Sequence, residues 1–227
     1  MSATPRRPKR SPRYSKLAEN DLRSSQQTCA PTEYSPIFDL APDSPLRVQG
    51  NLTGIPRKLK DLSADWHNAR LKWKQESQSG YLVCNQIGNI KMDSFIESVS
   101  LPETLLPLCD QLCAIINSLE RLMEKMTRWK EAVMSLKELL MAQGKSTQII
   151  FQTWTIERFV QASQRLLQLY QKEMILKKNI LENICHSKNK AELMFILACW
   201  AHEPYLEKTG MLSIDAMVTE TGHVTIS

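Results

Sequence analysis

Residues 105–140 read LLPLCDQLCAIINSLERLMEKMTRWKEAVMSLKELL, and the spacing of their apolar side chains decides the fold. Alternating steps of three and four select Leu105, Leu108, Leu112, Ile115, Leu119, Leu122, Met126, Trp129, Val133, Leu136 and Leu140. An unbroken apolar run at that spacing is the heptad seam of a long helix lying along other helices. At a rise of about 1.5 Å per residue the rod is on the order of 54 Å long. Cys109, Ile116 and Met123 sit just beside the seam and widen it, so this end of the rod packs in a bundle rather than a two-helix coil. Periodicity leaves two readings open. The seam is either the core of the chain's own domain or a surface shared with a second protein.

The same arithmetic works outward. Leu59, Leu62, Trp66, Ala69 and Trp73 keep 3,4 spacing, and the phase continues past Gly80 to Val83, Ile87 and Ile90. One helix over 58–92, weakened around 77–80, accounts for this; two shorter helices are the alternative. Arg70, Lys72 and Lys74 fall on its other face, as solvated charge. Ser100 and Glu103 form a capping box ahead of a helix over 102–142, and Pro107 should kink or restart it. After a turn at 143–152, Thr155 caps a helix over 155–186. Its seam holds Val160, Leu167, Tyr170, Met174 and Lys177, with a second row through Phe159, Leu166 and Ile180. Two adjacent rows mark a helix with two neighbours. Lys177, Lys178 and Lys188 suit the negative end of its dipole. Asn189 and Glu192 box a short apolar helix over 190–202, and Ser213 caps a last one over 213–221 before Gly222. The expected class is all-α: an elongated bundle or coiled coil of three long helices plus one or two short C-terminal ones. It occupies 57–227 behind a tail at 1–56.

That tail holds eight of the eleven prolines and few large apolar groups, a composition that favours disorder. The formal charge of +5 lies wholly within residues 1–23, while basic and acidic residues balance across the rest. The folded part therefore has no bulk field for nucleic acid, and only the tail supports that alternative function. Arg6-Arg7-Pro8-Lys9-Arg10 is a nuclear-localisation pattern. Thr4, Ser11, Ser35 and Ser44 each precede proline, and Thr4 and Ser44 carry the basic residue three positions on that cyclin-dependent kinases favour. Phosphate at these positions would reduce the local positive charge. The start lacks the apolar run of a secretory signal, and the six cysteines contain no C-x-x-C pair, so reduced, mostly buried thiols are expected.

No catalytic, cofactor or metal set emerges. Gly144-Lys145-Ser146 ends like a phosphate-binding loop, but Leu139 stands where the motif needs glycine and no strand precedes it. Cys109 and Cys113 are one helical turn apart on the apolar face and read as core. His67, His186, His202 and His223 have no triad spacing, and Asp65 and His67 point in different directions on a helix.

Several rare residues occur in an order that identifies a family. Ser63-Ala64-Asp65-Trp66-His67-Asn68 with Leu71-Lys72-Trp73, then Phe151-Gln152-Thr153-Trp154, then 166–173, Trp200-Ala201-His202-Glu203-Pro204-Tyr205 and Glu220-Thr221-Gly222-His223 together resemble the cyclin-dependent kinase 2-interacting protein family. The likeness spans about 57–92 and 150–223; 93–149 departs from it. It implies a non-enzymatic nuclear adaptor with a cytoplasmic pool and no cofactor. Implied partners are cyclin-dependent kinase/cyclin complexes, the Dbf-dependent replication kinase, the origin recognition complex and the interacting partner of the ATR checkpoint kinase. It also implies membership, beside a second helical subunit, of an AAA+ ATPase assembly acting in ribosome maturation and DNA replication and repair. The residues expected to meet partners are the seam's Leu119, Met126 and Trp129 and the large aromatics Trp66, Trp73, Trp154, Tyr170, Trp200 and Tyr205. Trp66 and Trp200 also suit the chain's own core.

Overall fold

The computed structural model describes residues 52–97, 103–206 and 208–223. They form α1 (Gly54–Glu97), α2 (Leu105–Ala142), α3 (Ile156–Asn183) continued by a 3-10 turn at Ile184–His186, α4 (Lys190–His202) and α5 (Lys208–Glu220). Among the described residues there is no strand, only an isolated bridge between Ile149 and Thr155. The class is all-α, as the periodicity requires.

Both faces of the α2 seam are covered by the same chain, by α1 and α3. Leu112, Leu119, Met126 and Val133 are fully buried, and Trp129 meets Trp66 edge-on with ring centroids 5.8 Å apart. The tertiary structure thus resolves the open choice: the long seam is this chain's own core. Pro107 lies in the first turn of α2, where backbone N–H groups have no helical acceptor, so it starts the helix without interrupting it. Ser100 and Pro102 lie outside the described residues. At the other end Gly144 adopts φ 68°, while the Lys145 N–H reaches the Leu140 carbonyl at 2.9 Å and the Gly144 N–H reaches Met141 at 3.0 Å. Gly144 is a helix stop, a conformation in which glycine has no steric cost.

α1 is a single 44-residue helix, longer at both ends than 58–92. Its seam packs on the long helices, with Leu59, Trp66, Trp73 and Ile87 buried. A second buried face, absent from the apolar pattern, holds Lys60, Ser63, His67, Ser77, Cys84, Gly88 and Lys91. α5 covers part of that face and α4 another. α1 therefore packs against α2, α4, α5 and the 3-10 turn, and it carries both short helices. Arg70 is not merely solvated charge: its Nη1 lies 2.7 Å from Asp215 Oδ1 of α5, and its Nη2 donates to His67 Nδ1 at 3.0 Å.

The helix ends follow local chemistry. Thr155 is extended, and its carbonyl takes the Arg158 N–H at 3.1 Å. Asn189 Oδ1 accepts the Glu192 N–H at 2.9 Å, while Glu192 Oε2 reaches back one residue beyond the cap to accept the Lys188 N–H at 2.8 Å, a variant of the capping box. Ser213 does not cap α5, which begins five residues earlier at Lys208. Gly210 lies inside α5 and is buried, where a Cβ would stand 3.0 Å from Leu169.

Candidate partner-binding site

α4 is held by a buried ionic cluster that the apolar pattern does not reveal. Lys177, a charged residue within the α3 seam, is 0% exposed. Its Nζ donates to Ser77 Oγ at 2.8 Å, lies 3.1 Å from Glu203 Oε1 and 3.8 Å from Glu173 Oε1, and sits 4.2 Å from the centre of the Trp200 ring. Trp73 Nε1 donates to Glu203 at 3.0 Å, Trp200 Nε1 to the Ser77 carbonyl at 2.9 Å, and the Tyr205 N–H to Glu173 at 3.1 Å. A buried charge is tolerated when it is paired and hydrogen-bonded. Two carboxyls face one ammonium here, and burial pushes Glu173 up to about 7 against the pull of Lys177. A proton taken up by Glu173 relieves the excess negative charge of the cluster. Gly80 makes room for it: a Cβ there would stand 2.2 Å from Trp200 Cζ2.

A second clamp ties α5 to the turn before α3. Glu220 accepts the backbone N–H groups of Gln152, Thr153 and Trp154 at 2.8, 2.6 and 2.8 Å, and the Thr153 hydroxyl at 2.8 Å. Burial raises the Glu220 pKa, but these donors outweigh it and leave the carboxyl below its ordinary range. His223 Nε2 donates to the Lys60 carbonyl at 2.9 Å, placing it within the start of α1. Gly222, at φ 69°, is the glycine stop that turns the chain there. Phe151–Trp154 and Glu220–His223, far apart in sequence, are thus one structural joint.

These contacts fix an apolar surface on α4. Its inner stripe, Leu193, Ile196, Leu197 and Trp200, packs inward, while Ala191, Met194, Phe195 and Ala198 repeat the same 3,4 spacing on the outside. Phe195 is 70% exposed and Met194 51%. α4 is thus apolar on both sides and covered by this chain on one. Tyr81 and Leu82, next to Gly80 on α1, are also exposed.

Of the residues expected to meet partners, Trp66, Trp73, Leu119, Met126, Tyr170 and Trp200 are buried among the chain's own helices and offer no surface in this state. Trp129 and Trp154 are half-buried, and Tyr205 is 45% exposed. The α4 stripe was missed because nine consecutive apolar residues, 193–201, show no preferred face; the exposed half emerges only from packing. Thr4, Ser11, Ser35, Ser44 and the basic patch at 6–10 lie outside the described residues.

Reactive chemistry has little to work with. A cavity of about 370 Å³ opens between α1, α3 and α5, but its polar groups are engaged: Arg70 with Asp215, and Trp73 with Glu203. Among the described residues no three metal-ligating side chains converge, and no helix is long and apolar enough to cross a membrane. Cys113 is exposed rather than in the core, and Cys109 is half-buried with its Sγ 3.2 Å from that of Cys185. Burial pushes the Cys185 and Cys84 thiols up to about 12, which keeps them protonated.

No protein-family model matches the chain. Curated relatives do. The human and mouse proteins named cyclin-dependent kinase 2-interacting protein are each 31% identical over 189 residues, covering 74% of this chain and 89% of theirs. The frog (Xenopus laevis) protein of that name is 28% identical, covering 76% of this chain and 91% of its own. The aligned share is wider than 57–92 and 150–223 alone. At that identity and coverage the chain belongs to the cyclin-dependent kinase 2-interacting protein family.

Proposed function

We propose that this chain is a non-enzymatic adaptor that binds a cyclin-dependent kinase 2 complex, and that the outer stripe of α4 is part of the contact. The observation that carries the reading is Phe195 exposed at 70% on a helix rigidly anchored by buried charge, in a chain whose relatives are named for that interaction. An anchored helix presents its stripe with little ordering cost on binding. Purified full-length chain should co-precipitate with a kinase–cyclin complex. Met194→Glu with Phe195→Glu should weaken this at least tenfold while the helical circular dichroism is unchanged. Undiminished capture by the variant would remove α4 from the interface; no capture of the native chain would remove the kinase.

The family resemblance extends the proposal to the nucleus, to replication and checkpoint partners, and to an AAA+ ATPase assembly with a second helical subunit. Replacing Arg6, Arg7, Lys9 and Arg10 by Ala should shift a fluorescent fusion toward the cytoplasm; unchanged nuclear signal refutes that patch as the determinant. A second reading, contact with nucleic acid through the tail, is favoured by the +5 concentrated in 1–23. Salt-dependent binding to duplex DNA that disappears on deleting 1–23 would support it, and absence of binding at low salt would end it.

A further inference from the structure

Between α3 and α5 lies a groove of about 650 Å³ on a different face from α4's stripe. One row of α3, Arg158, Gln161, Arg165 and Gln168 at 3,4,3 spacing, forms its polar wall, and all four side chains are exposed. Trp154 closes one end, with the Arg158 guanidinium 5.6 Å from the centre of its ring. Leu212 of α5, 65% exposed, makes an apolar rim. No carboxylate lines the groove. Three carboxylates of α3 and α5 are engaged elsewhere: Asp215 with Arg70, Glu157 with Lys137 at 2.6 Å, and Glu220 with the backbone of 152–154. Arg165 has no ion-pair partner among the described residues.

We propose that this groove binds an extended acidic segment of a partner protein, its carboxylates paired with Arg158 and Arg165. Seven residues of helix separate the two guanidiniums, roughly 10 Å along the axis. A chain in the polyproline-II conformation covers that distance in about three residues, one full turn that brings i and i+3 back to the same side, so the preferred ligand carries Asp or Glu at positions i and i+3. Guanidinium presents a planar fork that matches carboxylate in a bidentate pair, and resting Arg158 on Trp154 holds that fork in place before the ligand arrives. The three glutamines flanking the arginines, Gln161, Gln164 and Gln168, can bond the main chain of an extended peptide, whose N–H and C=O groups are otherwise unpaired. Leu212 gives an intervening apolar side chain something to cover. A polyanion such as nucleic acid is less suited. It is held by a broad field, and the chain beyond residue 23 has balanced charge.

The inference does not depend on kinase binding, and its test separates the two. The probe is a fluorescein-labelled, amide-capped Gly/Ser decapeptide carrying two Asp three apart with Leu between them. Its anisotropy is followed against the full-length chain at low salt. Saturable binding is expected, about tenfold weaker in Arg158→Glu and in Arg165→Glu, unchanged in the exposed α2 control Arg121→Glu, and absent when both Asp are Asn. Both variants sit at exposed helical positions, and unchanged circular dichroism with an unchanged thermal melt confirms that the bundle is intact. Equal binding of the Asn peptide, or of the acidic peptide by Arg165→Glu, overturns the proposal. So does displacement of the peptide by an oligouridylate at lower concentration than by unlabelled peptide, which would make the groove a nucleic-acid contact.

Discussion

Glu173 is the residue at which pH should be felt. Its folded pKa of about 7 lies above the ordinary carboxylate value of 4.5. A carboxyl raised by folding contributes stability that is present below about 4.5 and is lost as pH rises through about 7. Buried His67 and His223 act in the opposite sense, because burial lowers their pKa values. The comparison that isolates Glu173 is therefore with Glu173→Gln, which keeps an acceptor for the Tyr205 N–H. The variant should gain on the order of 2 kcal/mol relative to the native chain between pH 5 and 8, measured by thermal melts across that range. A constant difference would refute it. The two interior glycines of α1 offer a second contrast. Alanine is the better helix former at both by about 1 kcal/mol. At Gly80, however, the new methyl meets the rigid indole of Trp200 at 2.2 Å, whereas at Gly88 it meets the mobile end of Leu197 at 3.0 Å. Gly80→Ala should therefore destabilise by roughly 1–3 kcal/mol, and Gly88→Ala should be near neutral in urea titrations.

At the scale of elements, α5 is held less by area than by a joint. Glu220 satisfies three backbone donors in the turn before α3, while His223 ties the chain behind α5 to the Lys60 carbonyl. Glu220→Ala strands those donors beside a protein surface and should cost about 2–3 kcal/mol. Hydrogen exchange should rise at 152–154 and along α5 while α2 stays protected. Uniform loosening of all the helices would show instead that no separate joint exists. The same scale explains why α4 is short yet fixed: its inner stripe is supplemented by the indole N–H of Trp200 and the carboxylate of Glu203.

At the scale of the molecule, α1, α2 and α3 share one core, and the α2 seam is its axis. Leu119→Glu or Met126→Glu buries a carboxylate where no partner is within reach. Either should cost more than about 4 kcal/mol and abolish cooperative unfolding by circular dichroism. Phe195→Glu, at an exposed position, should leave the melt within about 0.5 kcal/mol of the native chain. A folded Leu119→Glu chain that had lost only its partners would mean the seam is an interface after all.

Sequence alone determined the class and the order of the helices. The 3,4 spacing of Leu105–Leu140 states a helix, an apolar side and a length, and Thr155, Asn189, Gly144 and Gly222 mark boundaries through interactions with their own neighbours in the chain. It missed the second face of α1, because Ser63, Ser77, Gly80 and Gly88 are selected for size and hydrogen bonding rather than for apolarity. It put Lys177 in the α3 seam without the partners that make a buried lysine tolerable there, since Glu203 and Ser77 arrive from elements remote in sequence. Only the tertiary structure decided which apolar stripes remain uncovered. Burial is a property of pairs of surfaces, and a single helix does not record which of its sides a distant one will cover.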